Sequence, residues 1–110
     1  SRYDTMLKIR GMNLWPEAVD AIVFAHADVD EYNGRVLVAD NGREVARVLI
    51  DFKPGTAVAD GQRGRALAEL RQTIKERTGV AMEVDEAKPG ELERFIYKEK
   101  RWKDLRRQQL

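Results

Sequence analysis

The sequence predicts one α+β domain with elements in the order βαββαβ, two helices packed on one face of a sheet. Three observations predict it. Two stretches place apolar residues at helical spacing, four others alternate apolar and polar, and a hairpin signal joins the two central strands. The 110 residues fit a single domain spanning 1–110 with one modest core.

Met6-Leu7-Lys8-Ile9-Arg10 alternates and reads as a half-buried strand that Gly11 ends. Pro16 suits the first turn of a helix, where no backbone donor is needed. Val19, Ile22, Val23 and His26 then recur at helical spacing, with Glu17 and Asp20 near the positive end of the helix dipole. Residues 35–39 and 44–52 form two strands around Asp40-Asn41-Gly42. A two-residue turn there would set Val36 opposite Arg47. A three-residue loop with a bulge at Gly42 sets Val36 opposite Ala46 and keeps Val38, Val48 and Ile50 on one face, so the longer loop is expected.

Pro54-Gly55 breaks the pattern, and a second helix carries Leu67, Leu70 and Ile74 on one face. Gly79 stands where a C-cap glycine belongs. Val80, Met82 and Val84 alternate as a fourth strand, and Lys88-Pro89-Gly90 is a turn. The remaining tail is expected to be partly helical from Lys98 onward, with Trp102 placed to pack it onto the sheet. Trp15 and Phe24 are read as packing residues. A βαββαβ order with both helices on one face gives a ferredoxin-like α+β sandwich.

Net charge is +1, which makes no case for nucleic acid or a membrane as partner. The charge is uneven: residues 94–107 carry +5 and the remainder −4. Without cysteine there is neither a disulfide framework nor a thiol nucleophile. No apolar run approaches the roughly 18 residues of a span, so a cytoplasmic location is the expectation. His26 is the sole histidine, which rules out a histidine-based metal cluster and leaves it a structural role. Asp28, Asp30 and Asn33 faintly suggest a calcium loop, but Tyr32 and Ala39 occupy positions that need oxygen ligands. Gly61 and Gly64 follow no strand and make no phosphate loop.

Two terminal segments stand out. Arg2-Tyr3-Asp4-Thr5-Met6-Leu7-Lys8-Ile9-Arg10-Gly11-Met12-Asn13-Leu14-Trp15-Pro16 resembles the hinge motif of adenylate-forming enzymes in its phenylacetate-CoA ligase version, matching at Arg2, Asp4, Met6, Leu7, Arg10, Gly11, Asn13 and Pro16. The stretch from Pro89 to Arg101 resembles that family's lysine motif at Pro89, Gly90, Leu92, Arg94, Lys98 and Arg101. Glu93 stands where the family usually has proline and Tyr97 where it usually has glycine. Ile74 to Val80 also looks like the family's second helix and its exit, so the resemblance covers nearly the whole chain.

The resemblance implies the mobile C-terminal domain of an AMP-forming acyl-CoA ligase. Such enzymes form an acyl-adenylate from an acid and ATP, then pass the acyl group to coenzyme A. The implied partners are an N-terminal adenylation domain outside this chain and a small aryl carboxylic acid, with magnesium carried by ATP and not by this domain. Lys98 is implied as the catalytic lysine, because a mobile ammonium can bridge two anions while charge builds on the α-phosphate. Lys100 is its rival two residues on; the count from Arg94 favours Lys98. Asp4 corresponds to the hinge, Arg2 to a contact with the AMP ribose, and Gly11 to a point beside the pantetheine path. Alone, the chain is expected to be inactive.

Two other readings remain. A ligase-derived interaction or regulatory domain without chemistry would fit the changes at Glu93 and Tyr97. An RNA-binding module would fit the basic tail, but the central strands carry no paired aromatics on which bases could stack.

Overall fold

The computed structural model describes residues 6–54, 60–88, 90–92 and 101–106. Eight elements follow in order: β1 (Leu7–Ile9), β2 (Met12–Leu14), α1 (Pro16–Phe24), β3 (Val29–Val38), β4 (Glu44–Phe52), α2 (Asp60–Thr78), β5 (Glu83–Glu86) and β6 (Trp102–Asp104). Two helices cover a four-stranded sheet in the order β5-β4-β3-β6, the expected α+β sandwich. Two details of the element order differ from the sequence reading. The first strand does not join this sheet; it folds back on β2 as a separate two-stranded hairpin. The tail contributes strand, not helix, at 102–104, pairing parallel to β3 through Gly34↔Trp102 and Val36↔Asp104. The outer edge of β3 supplies backbone partners that an isolated helical turn would lack: the Gly34 N–H donates to Arg101 O and the Leu105 N–H to Val36 O, both at 2.9 Å.

The central hairpin has the expected register. Val36 faces Ala46 and Val38 faces Glu44, while the Gly42 N–H donates to Ala39 O at 2.8 Å. Gly42 has φ +83°, as the bulge requires. β3 begins at Val29, six residues before the sequence pattern suggests. His26 and Asp28 fall in the turn before it, where His26 Nδ1 accepts the Asp28 N–H.

The core lies between the helices and one face of the sheet. Val19, Ile22 and Val23 from α1 and Ala66, Leu70 and Ile74 from α2 meet Tyr32, Val36, Ala46, Val48, Ile50 and Val84. Leu7, Ile9 and Leu14 of the hairpin join the same cluster, which seats it against the core without backbone pairing to the main sheet. Leu49 points the other way and packs with Ala87 and Leu92. Trp15 does not pack as expected: it is 52% exposed at the N-cap of α1. Its backbone is extended, with buried Leu14 before it and buried Pro16 after it, so the alternation of an extended chain puts the indole on the solvent side. Among the described residues no helix is long and apolar enough to cross a membrane.

Candidate functional site

The sequence motifs direct attention to two regions, the β1–β2 turn and the strand after the lysine motif. The turn is Ile9-Arg10-Gly11-Met12, with Ile9 paired to Met12. Arg10 and Gly11 both take left-handed backbone, φ +50° and +78°. That pair of conformations makes a two-residue hairpin turn whose twist suits its strands. A Cβ at Gly11 would meet no atom within 4 Å, so the turn ends in bare, exposed backbone.

Left-handed backbone is costly for arginine, and three hydrogen bonds hold Arg10 there. Its N–H donates to Glu44 Oε1 at 2.6 Å, Nη1 to Glu44 O at 2.6 Å and Nη2 to Ala81 O at 2.7 Å. Glu44 Oε2 takes Arg106 Nη1 at 2.7 Å, and the same nitrogen reaches Lys8 O at 2.6 Å. Arg106 also holds Asp104 Oδ2 at 2.6 Å. The Arg10 N–H first, and then Arg106, pull the Glu44 carboxyl below its usual range. Asp104 and Glu44 hold Arg106 above the ordinary guanidinium value, against its partial burial.

β6 has two further anchors. Trp102 lies flat against Gly34, where a Cβ would stand 2.4 Å from its ring. Only glycine leaves room for that approach. The Trp102 Nε1–H donates to Tyr32 Oη at 3.0 Å, and the Tyr32 hydroxyl donates to Asp20. This chain ties β6 to β3 and α1. Burial raises the Asp20 carboxyl, outweighing the hydrogen bond from Tyr32. Burial, and then the Asp20 charge, push the Tyr32 phenol well above its ordinary value. One residue earlier, Arg101 Nε donates to the buried Glu31 at 2.6 Å, with its guanidinium 4.8 Å from the Phe24 ring centre. The basic tail thus has a structural use: Arg101 and Arg106 neutralise Glu31, Glu44 and Asp104.

Gly11 is the sequence-nominated residue whose surroundings are visible. Lys98, Asp4 and Arg2 lie outside the described residues, as do Lys100, Glu93 and Tyr97. Sequence reasoning missed Glu44 and Glu31, since a lone glutamate in a strand carries no signal of its distant arginine. Among the described residues no group of three or more His, Asp or Glu side chains is arranged to hold a metal.

Residues 11–106 match the family model described as AMP-binding enzyme C-terminal domain. No curated protein matches the chain. Among solved structures, a domain of phenylacetate-coenzyme A ligase from Bacteroides vulgatus superposes with TM-score 0.84 at 20% identity, over 96% of this chain and 97% of that one. A 2-hydroxyisobutyryl-CoA ligase, in complex with 2-HIB-AMP and CoA in its thioesterification state, gives 0.78 at 18% identity over 92% of this chain. This chain spans 21% of that ligase. An acyl-CoA synthetase from Brucella canis gives 0.57 at 17% identity, with 87% and 19% covered. These likenesses carry the fold, and the family match extends over nearly the full length: the chain belongs to the AMP-binding enzyme C-terminal domain family.

Proposed function

We propose that this chain serves as the mobile C-terminal domain of an AMP-forming acyl-CoA ligase in the cytoplasm, working with an N-terminal adenylation domain on a small aryl carboxylic acid, ATP and coenzyme A. The observation that carries the reading is the bare Gly11 turn in a chain whose family match begins at that residue. A rigid turn without a side chain lets an extended thiol arm pass close to backbone, and a Cβ there would occupy that path. The open space around Gly11 fits such an arm. When bound, coenzyme A supplies the thiol that accepts the acyl group.

Lys98 takes the adenylation role in this proposal. Its ammonium neutralises charge where carboxylate and α-phosphate meet, which a fixed dipole could not do before the domain docks. Asp4 is the hinge, a position between domains where one residue absorbs the dihedral change. Arg2 holds the ribose. Magnesium arrives with ATP and asks no ligand of this domain.

The test uses a protein in which this chain is joined to its adenylation domain. Acid-dependent ATP–pyrophosphate exchange is measured with a panel of aryl acids for wild type and Lys98→Ala. A loss of about 100-fold, roughly 2.7 kcal/mol of barrier, with thioester formation from supplied acyl-adenylate retained, supports the assignment. Unchanged exchange moves the role to Lys100. No exchange in wild type with any acid favours the non-catalytic interaction domain.

A further inference from the structure

Glu44 joins two parts of the chain that are remote in sequence. One carboxylate oxygen accepts the Arg10 N–H at 2.6 Å, inside the β1–β2 turn. The other accepts Arg106 Nη1 at 2.7 Å, just past β6. Arg106 closes the ring by donating to Lys8 O at 2.6 Å. One side chain at the start of β4 therefore fastens the hairpin to the strand that ends the described chain.

The hairpin needs such a fastening. It shares no ladder with the four-stranded sheet. Leu7, Ile9 and Leu14 seat it on the core, but apolar contact is non-directional and leaves the orientation of the turn loosely set. Direction comes from the polar contacts at its tip. β6, in contrast, keeps Trp102 on Gly34 and Arg101 on Glu31 even without Arg106. Losing Glu44 should thus loosen the turn more than it displaces the strand.

We propose that Glu44 is a positioning residue that bolts the Gly11 turn to the end of β6, so that the turn keeps one orientation during thioester formation. The catalytic half of this inference rests on the ligase reading; the mechanical half does not. The carboxylate is ionised at neutral pH, and both of its donors stabilise that form.

The mechanical half is tested on the 110-residue chain by amide hydrogen exchange of wild type, Glu44→Ala and Glu44→Gln. Glutamine retains an oxygen for Arg10 but loses the charge that holds Arg106. The expected result is faster exchange, by about tenfold, in residues 7–14 of Glu44→Gln and a smaller rise in residues 104–106, with the centre of β3 and β4 unchanged. Unchanged exchange in residues 7–14, or a rise confined to residues 104–106, overturns the bolt. If Glu44→Ala unfolds the whole chain, the glutamine variant decides.

The catalytic half is tested in the joined ligase by comparing the two half-reactions of Glu44→Gln. A loss confined to stability lowers both in proportion to the folded fraction. A misplaced turn slows thioester formation from supplied acyl-adenylate by about 10–100-fold relative to pyrophosphate exchange. Equal loss in both half-reactions overturns the positioning role. A wild-type protein that performs neither half-reaction refutes the ligase reading, and the exchange data still decide whether Glu44 joins turn and strand.

Discussion

Replacing Gly34 by alanine should unlatch β6. The new Cβ would lie 2.4 Å from Trp102 Cδ2 and Cε2 and 2.5 Å from Cε3. Carbon atoms prefer about 3.5–4.0 Å, so the ring must retreat by roughly 1 Å or more. That retreat strains the 3.0 Å bond from Trp102 Nε1 to Tyr32 and leaves a buried hydroxyl half-satisfied. Overpacking costs about 1–3 kcal/mol and the lost hydrogen bond about 1 kcal/mol. Removing a glycine from a strand returns roughly 0.5–1 kcal/mol. The net loss is about 2–3 kcal/mol, or a fall in Tm of roughly 10–20 °C for a domain of this size. The measurement is thermal unfolding by circular dichroism, with iodide quenching of fluorescence in a Trp15→Phe background so that Trp102 reports alone. Trp102→Leu should recover part of the loss in Gly34→Ala, because the two positions touch. A Tm within about 2 °C of wild type, with Trp102 still protected, would refute the close-approach argument.

Other expectations follow from the same contacts. Tyr32→Phe strands the Trp102 Nε1–H and Asp20 together, and should cost about 1–3 kcal/mol in urea unfolding. Asp20→Asn keeps an acceptor for Tyr32 but removes a carboxyl whose pKa burial raises. A raised folded value means that the wild-type carboxyl costs stability as pH climbs through it, so the asparagine variant should lose less between pH values of about 4 and 7. Glu44 has the opposite sign: its lowered pKa contributes stability above the unfolded value and loses it as pH falls through the folded one. The gap between wild type and Glu44→Gln in acid unfolding should therefore close below pH values of about 4. Gly11→Ala meets no atom but must hold φ near +78°, so it should cost about 1 kcal/mol in thermal stability without a packing change.

Much of the sandwich was legible because short-range patterns set it. Val19, Ile22 and Val23 announce one buried helix face, and Leu70 and Ile74 the other. Asp40-Asn41-Gly42 gave the register of the central hairpin, since the loop fixes which residues oppose each other. The first half of β3 was hidden because Asp30, Glu31 and Asn33 look like loop residues. Glu31 can be buried there because Arg101, 70 residues away, neutralises it and the Tyr32 N–H donates to it. The tail misled for a similar reason: Trp102-Lys103-Asp104 has no strong preference of its own, and β3 supplies the partner that makes it a strand. Gly11 could be nominated by motif and its turn by a glycine at the strand end. Glu44 and Arg106 could not, because nothing local marks two charges that meet across 62 positions.

The late arrival of β6 bears on how the chain emerges from the ribosome. β3 and β4 are neighbours in sequence and can close early around a short loop, whereas Gly34 must wait for Trp102. Until then the outer edge of β3 offers unpaired backbone groups to any passing strand. Pairing of β6 closes that edge, and a truncation before Trp102 should leave β3 with a sticky side.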